Sequence, residues 1–238
     1  MQSDNSPMTM NHVDMTNWSF NFGGSTAILN GTNHYSPPTV LSFSTALDLL
    51  LYLADNGEHQ SEIQNGINRR LKADSIVQAW HNKRTSLNDL KHFPKYKGAH
   101  YDDYHIAARS LVTKTHSDKQ QKMVTELNGE ISASNVVTPS GQVVFHGRSD
   151  MALHSAPNYP SFVSTSLDPI VAVNSALRRG GINQVNGRPT VYVLTLQDPI
   201  PVLWGNGGKP HEWELLLETN LVFSLVKMHY GTSFDIVE

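Results

Sequence analysis

Glu212 and Glu214 stand two residues apart at the mouth of an apolar run, His211-Glu212-Trp213-Glu214-Leu215-Leu216-Leu217. In an extended strand, residues i and i+2 project from one face. The spacing therefore predicts two carboxylates side by side, anchored by Trp213 and the leucines. Like charges placed this way repel and raise each other's pKa, so the pair marks a candidate site. The plainer alternative is a solvated strand edge. Two further segments come before it in the chain. Val143-Val144-Phe145-His146-Gly147-Arg148-Ser149 is the first of them. Ser164-Thr165-Ser166 follows Phe162-Val163 and leads into Leu167-Asp168-Pro169.

This succession resembles the mono-ADP-ribosyltransferases that carry an Arg on a first strand, Ser-Thr-Ser on a second and Glu-x-Glu on a later one. The resemblance covers roughly residues 140–238. It implies NAD as substrate, an arginine of a target protein as acceptor, and a split, mostly antiparallel β-sandwich with the NAD cleft between its sheets. Glu214 would stabilise the oxocarbenium-like ribose as nicotinamide leaves, much as a carboxylate does in glycoside hydrolysis. Glu212 would orient or deprotonate the guanidinium, and Ser164 would hold the catalytic glutamate. The expected NAD contacts are His146, Gly147 and Arg148 on the first strand with Ser164, Thr165 and Ser166 on the second.

The first strand departs from the family pattern. His146 occupies the slot where the family carries Arg, and Arg148 lies two residues on, on the same strand face. Arg148 would reach the pyrophosphate and His146 a ribose hydroxyl. The segment also resembles the His-Gly start of poly-ADP-ribose-polymerase-like transferases, which use the His on the adenosine ribose. The short interval from His146 to Ser164 implies that the family's intervening helix is reduced or absent. Before Glu212 runs Trp204-Gly205-Asn206-Gly207-Gly208-Lys209-Pro210-His211, rich in glycine. It is expected either to read the acceptor, with Trp204 stacking on it, or to be an ordinary flexible hairpin connection.

These residues need elements to carry them. Residues 1–36 read as a loop-rich lead-in with one short strand and a turn at Gly23-Gly24. A helix is expected after Ser44-Thr45, capped by one of those hydroxyls and stopped at Asn56-Gly57. Further helices are expected around 60–72, 74–82, 101–112 and 117–128. Lys91-His92-Phe93-Pro94-Lys95-Tyr96-Lys97 interleaves bases and aromatics, which can contact polyanions but ordinarily is a solvated loop. The second half changes period: strands are expected at 142–146, 161–165, 190–196, 214–218, 221–228 and 233–237, with a helix opened by Asp168-Pro169. Helices first and strands after point to an α+β chain: lead-in 1–36, helical part 37–135, β-rich catalytic part 136–238.

Composition narrows the alternatives. With 238 residues, 39% hydrophobic and 16% charged, the chain can bury a full core. A net charge of −3 gives no general case for nucleic acid. Cys is absent, which removes thiolate metal sites, disulfides and a cysteine nucleophile. The 12 His are scattered without a His-x-x-x-His pair, so no metal is expected. A Gly-x-Gly-x-x-Gly turn opening a helix is missing too, which argues against hydride transfer on a dinucleotide fold. Met1 to Asn17 is polar and lacks the pattern of a signal peptide, and no apolar run suits a membrane helix. The expectation is a cytoplasmic protein of the producing or invaded cell, like phage-encoded or injected bacterial effectors. The other readings are an NAD glycohydrolase and an inactive NAD- or ADP-ribose-binding module.

Overall fold

The computed structural model describes residues 8–22, 25–29, 32–36, 39–56, 60–84, 87–148, 159–179, 188–205 and 212–238, excepting the side chains of 25–29, 32–36, Met8, Leu87, Arg148 and Arg179. Strands come first: β1 Met8–Thr9, β2 Thr16–Phe22, β3 Ser25–Leu29, β4 Thr32–Ser36 and β5 Thr39–Thr45. The lead-in is thus strand-rich rather than loop-rich. In β2, Trp18, Phe20 and Phe22 alternate inward, a period of two that the Asn- and Ser-rich composition had obscured.

Helices follow: α1 Ala46–Asn56, α2 Gln60–Ala73, α3 Ser75–Lys83, α4 Phe93–Lys97, α5 Tyr101–Val112 and α6 Asp118–Ser132. Local chemistry starts most of them. The Thr45 hydroxyl accepts from the Asp48 amide at 3.1 Å while the Asp48 carboxylate accepts from the Thr45 amide at 3.0 Å, a reciprocal cap that opens α1. Asp74 accepts from the Ile76 and Val77 amides at α3, and Ser117 with Gln120 forms a capping box at α6.

The second half supplies β6 Val136–Val137, β7 Gln142–Arg148, β8 Val163–Ser166, α7 Pro169–Arg179, β9 Thr190–Leu196, β10 Leu203–Gly205, β11 Glu214–Leu217, β12 Met228–Tyr230 and β13 Asp235–Val237. A seven-stranded sheet runs β10-β11-β8-β7-β9-β13-β12. Its pairs are antiparallel except β9 with β13. β7 pairs with β9 over its whole length, from Gln142↔Leu196 to Arg148↔Thr190, yet meets β8 through a single pair, Phe145↔Ser166. The seven-stranded sheet is nearly interrupted there. Residues 221–228, expected as a strand, form only a bridge from Leu221 to Tyr159 before β12 begins. Among the described residues no helix is long and apolar enough to cross a membrane.

Two apolar clusters sandwich β11, which explains why Leu215, Leu216 and Leu217 read as an unbroken run. Leu215 and Leu217 join the main core with α1, α2, α7 and the N-terminal strands. Leu216 faces the other way, into a smaller core with Leu203, Phe162 and the aromatics of α4 and α5. Glu214 shares the Leu216 face. The fold therefore aims that carboxylate at α4.

Candidate active site

Glu214 opens β11, paired with Ser166 on one side and Gly205 on the other. It is only 5% exposed. The Ser164 hydroxyl, two residues along β8, donates to Glu214 Oε1. Lys97, the last residue of α4, donates from Nζ to Glu214 Oε2 and to Glu212 Oε2, the latter at 3.2 Å. One ammonium thus bridges both carboxylates. Burial draws the Lys97 pKa down, but the charge and hydrogen bond of Glu214, then those of Glu212, outweigh it and hold the ammonium above the ordinary lysine range.

Glu212 reaches this position by a route the strand pattern does not contain. It lies before β11, in a bend, and Trp213 between the two carboxylates has φ 44°, a left-handed conformation that a bulky residue adopts only under constraint. The constraint is visible. The Trp213 indole is buried against Trp204, and its Nε1 donates to Asn68 Oδ1 of α2 at 2.7 Å. The Trp213 carbonyl accepts from the Leu167 amide, and the Ser166 hydroxyl donates to the Glu212 carbonyl at 2.5 Å. The carboxylates are neighbours, as expected, but through this turn rather than through strand alternation.

The Ser-Thr-Ser residues divide the labour. Ser164 holds Glu214, and Ser166 holds the Glu212 turn while accepting from the Asp168 amide at 2.9 Å. Thr165 points into the main core and donates to the Leu215 carbonyl at 2.8 Å. The Thr165 and Ser166 hydroxyls therefore serve the strand and the turn, within a segment expected to contact NAD. Next in the chain, Asp168 caps α7 by accepting from the Ile170 amide at 2.9 Å. Complete burial pushes its carboxyl up to about 7, against the lowering effect of backbone bonds from Ile170 and Val171.

On β7, His146 is buried and its Nδ1 lies 2.7 Å from the Ser164 carbonyl. A carbonyl only accepts, so Nδ1 carries the proton in this arrangement. His146 thereby fastens β7 to the strand that carries Ser164, across the near-split. Gly147, expected as an NAD contact, has a packing role visible in the structure. A Cβ there would run into the Ala172 carbonyl and Ala176 amide of α7, so the glycine lets the helix backbone lie directly on the strand. Arg148 closes β7 opposite Thr190, with its side chain outside the described atoms.

Trp204, expected to stack on an acceptor, packs inside the protein. It is 4% exposed, on β10, edge-on to Trp80 and packed on Trp213 at ring separations of 5.8 and 6.2 Å. Its ring belongs to the main core. Residues 206–211, the rest of the glycine-rich segment, and 149–158, where the reduced helix was expected, lie outside the described residues.

Lys97 is the site residue that sequence reasoning missed. The run 91–97 is no solvated loop: Phe93 and Tyr96 are fully buried on one side of α4. A helix of five residues has no stability of its own. Glu130 of α6 supplies the missing start, its carboxylate accepting from the amides of Lys91, His92 and Phe93 at 2.7, 2.8 and 2.8 Å. Burying Phe93 contributes about 2–3 kcal/mol more. The Tyr96 hydroxyl meets His105 Nε2 at 3.3 Å, and His105 Nδ1 meets Ser161 Oγ at 2.5 Å, which ties α4 through α5 to the entrance of β8. The i, i+3 spacing of Phe93 and Tyr96 was the available sign of a helical turn.

Among the described residues no three His, Asp or Glu side chains come together to hold a metal ion. No family model matches the chain, and no curated protein does. Solved structures do match. The ADP-ribosyltransferase Vis of Vibrio splendidus, in complex with agmatine, is similar at 11% identity and a TM-score of 0.51, over 73% of this chain and 82% of that one. The enzymatic component C2-I of the Clostridium botulinum C2 toxin is similar at 13% identity and a TM-score of 0.50. That match covers 91% of this chain and 53% of C2-I, so the chain spans about half of the toxin component. The fold is that of these ADP-ribosyltransferases.

Proposed function

We propose that the chain is a mono-ADP-ribosyltransferase that moves ADP-ribose from NAD to a guanidinium, the side chain of arginine on a protein. The observation that carries this reading is the pair of carboxylates held to different tasks. Glu214 is buried and tied by Ser164, while Glu212 sits on a turn closer to solvent, and one cation satisfies both. A fixed, buried carboxylate suits stabilisation of positive charge developing on the ribose as the bond to nicotinamide breaks. A more exposed neighbour suits an acceptor: Glu212 takes a proton from the guanidinium as its nitrogen bonds to the ribose carbon. Support for the acceptor class comes from the cation already bridging the pair, and from a relative of the same fold that binds agmatine, a guanidinium compound. NAD as donor is supported by the fold and by the Ser164–Glu214 bond.

The test uses two isosteric variants and two readouts, nicotinamide release from NAD and label transfer to agmatine. Glu214→Gln should lower both by about a thousandfold, the loss expected when a preorganised charge at a developing cation is neutralised. Glu212→Gln should cut transfer while leaving appreciable NAD hydrolysis. A folded Glu214→Gln chain that releases nicotinamide at the parent rate would refute the assignment.

A further inference from the structure

The Lys97 ammonium does something the proposed reaction does not ask for. Positive charge placed on Glu214 opposes the positive charge that the same carboxylate must stabilise on the ribose. It also fills the position between two carboxylates where a guanidinium would bind. We infer that Lys97 is a specificity-determining residue: its ammonium is a resident occupant of the acceptor's cation slot, which an acceptor must displace, and which therefore favours guanidinium over simple amine acceptors. The inference rests on the proposed transferase reading and adds how that site chooses its acceptor.

The geometry supplies the reasons. Lys97 Nζ contacts Glu212 Oε2 at 3.2 Å and Glu214 Oε2, with the lysine side chain 15% exposed. Its stem comes from α4, whose start is bonded to Glu130 and whose aromatic face is buried, so the ammonium is delivered to the slot at high effective concentration. A free primary amine offers the same chemistry as Lys97 without the tether, and loses. A guanidinium offers five N–H groups in a planar fork and can bond two carboxylates at once, which an ammonium does less well. Glu214 keeps its Ser164 bond through Oε1 whichever cation occupies the slot. Exchange of cations therefore leaves the catalytic carboxylate in place. Without an acceptor, Lys97 remains on Glu214 and suppresses loss of NAD to water.

Lys97→Met removes the charge and keeps the apolar stem, Lys97→Gln is a second neutral variant, and Lys97→Arg keeps a cation. Folding of each is verified by near-ultraviolet circular dichroism, and rates are taken per folded molecule. If the slot is open in roughly one parent molecule in ten, the neutral variants should lower the KM for agmatine about tenfold. They should also raise nicotinamide release in the absence of acceptor, whereas Lys97→Arg, which keeps a tethered cation in the slot, should not raise it. Added n-butylamine, the free counterpart of the lysine side chain, should inhibit Lys97→Met and leave the parent unaffected. A merely structural lysine would not produce that rescue of suppression. An unchanged KM for agmatine in both neutral variants, or indifference of Lys97→Met to n-butylamine, overturns the assignment. If either of those results is obtained while the parent turns over NAD and Glu214→Gln does not, only the Lys97 inference has failed. If the parent releases no nicotinamide, both readings fall.

Discussion

On one side of the carboxylate pair, β8 and β11 deliver Ser164 and Glu214 by strand register. On the other, α4 delivers Lys97 from a five-residue helix that begins on a carboxylate of α6. The first side is written locally, in residue types at fixed offsets along two strands. The second is assembled from residues far apart in sequence, Glu130 acting on the amides of 91–93 and a small aromatic core closing beneath them. A site can therefore have one side that shows as a motif and another that shows only in the folded chain. Both are needed to fix where charge sits.

The strand side can be stressed through Asp168, which joins the Ser166 hydroxyl to the cap of α7. An unfolded Asp titrates near 3.8, while the folded one is raised to about 7. Between those values the folded chain holds a proton that the unfolded chain has lost, so the stability contributed by this group is full below pH 4 and is lost as pH rises to 7. The loss is about 4 kcal/mol across that window, at about 1.4 kcal/mol per unit. Asp168→Asn keeps an oxygen for the Ile170 amide and has no proton to lose. Urea unfolding at pH 4.5 and 7.5 should therefore show a smaller difference for Asp168→Asn than for the parent. Equal differences would mean that Asp168 is ionised in the folded chain across the whole range.

The α4 side is expected to be the weaker of the two. Glu130→Ala leaves three backbone donors without their acceptor, at a cost of about 2 kcal/mol in denaturant unfolding. Because the start of α4 sets where Lys97 ends up, the same variant should move agmatine KM in the direction of Lys97→Met. If Glu130→Ala lowers stability and leaves agmatine KM at the parent value, then α4 holds its position on the Phe93 and Tyr96 core alone, and the contrast between the two sides softens.

What the sequence could and could not reveal follows the same division. Helices α1, α3 and α6 carry their own caps within four residues, and their starts could be read from Thr45, Asp74 and Ser117. The strands β8 and β11 could be read from apolar runs beside Ser164 and Glu214, although their pairing could not. Glu212 shows the limit. Its nearness to Glu214 was inferred from strand alternation, yet it depends on Trp213 taking φ 44° because Asn68, from a helix 145 residues earlier, holds the indole. Trp204 shows a second limit, since an aromatic beside a glycine-rich stretch looks the same whether it meets a ligand or Trp80. Gly147 shows a third: a glycine in a motif strand fits ligand approach and helix approach equally well until Ala172 is seen against it.

Gly205 is the point where both sides of the site touch, and it gives the smallest and most discriminating test. It pairs with Glu214 across β10 and β11, and its backbone is not in a left-handed conformation, so no turn requires a glycine there. Close approach requires it. A Cβ would stand 2.8 Å from Glu214 Oε2, the oxygen that Lys97 contacts, and 3.1 Å from Phe93 Cζ of α4. Gly205→Ala must therefore shift either the carboxylate or the ring. A displaced carboxylate keeps its charge but loses its aim, and a few tenths of an ångström should lower kcat for agmatine transfer about tenfold, with unfolding changed by less than about 1 kcal/mol. If Phe93 yields instead, the loss appears in stability, with kcat held at the parent value. The first outcome makes the strand side the one that gives way, and the second makes it α4.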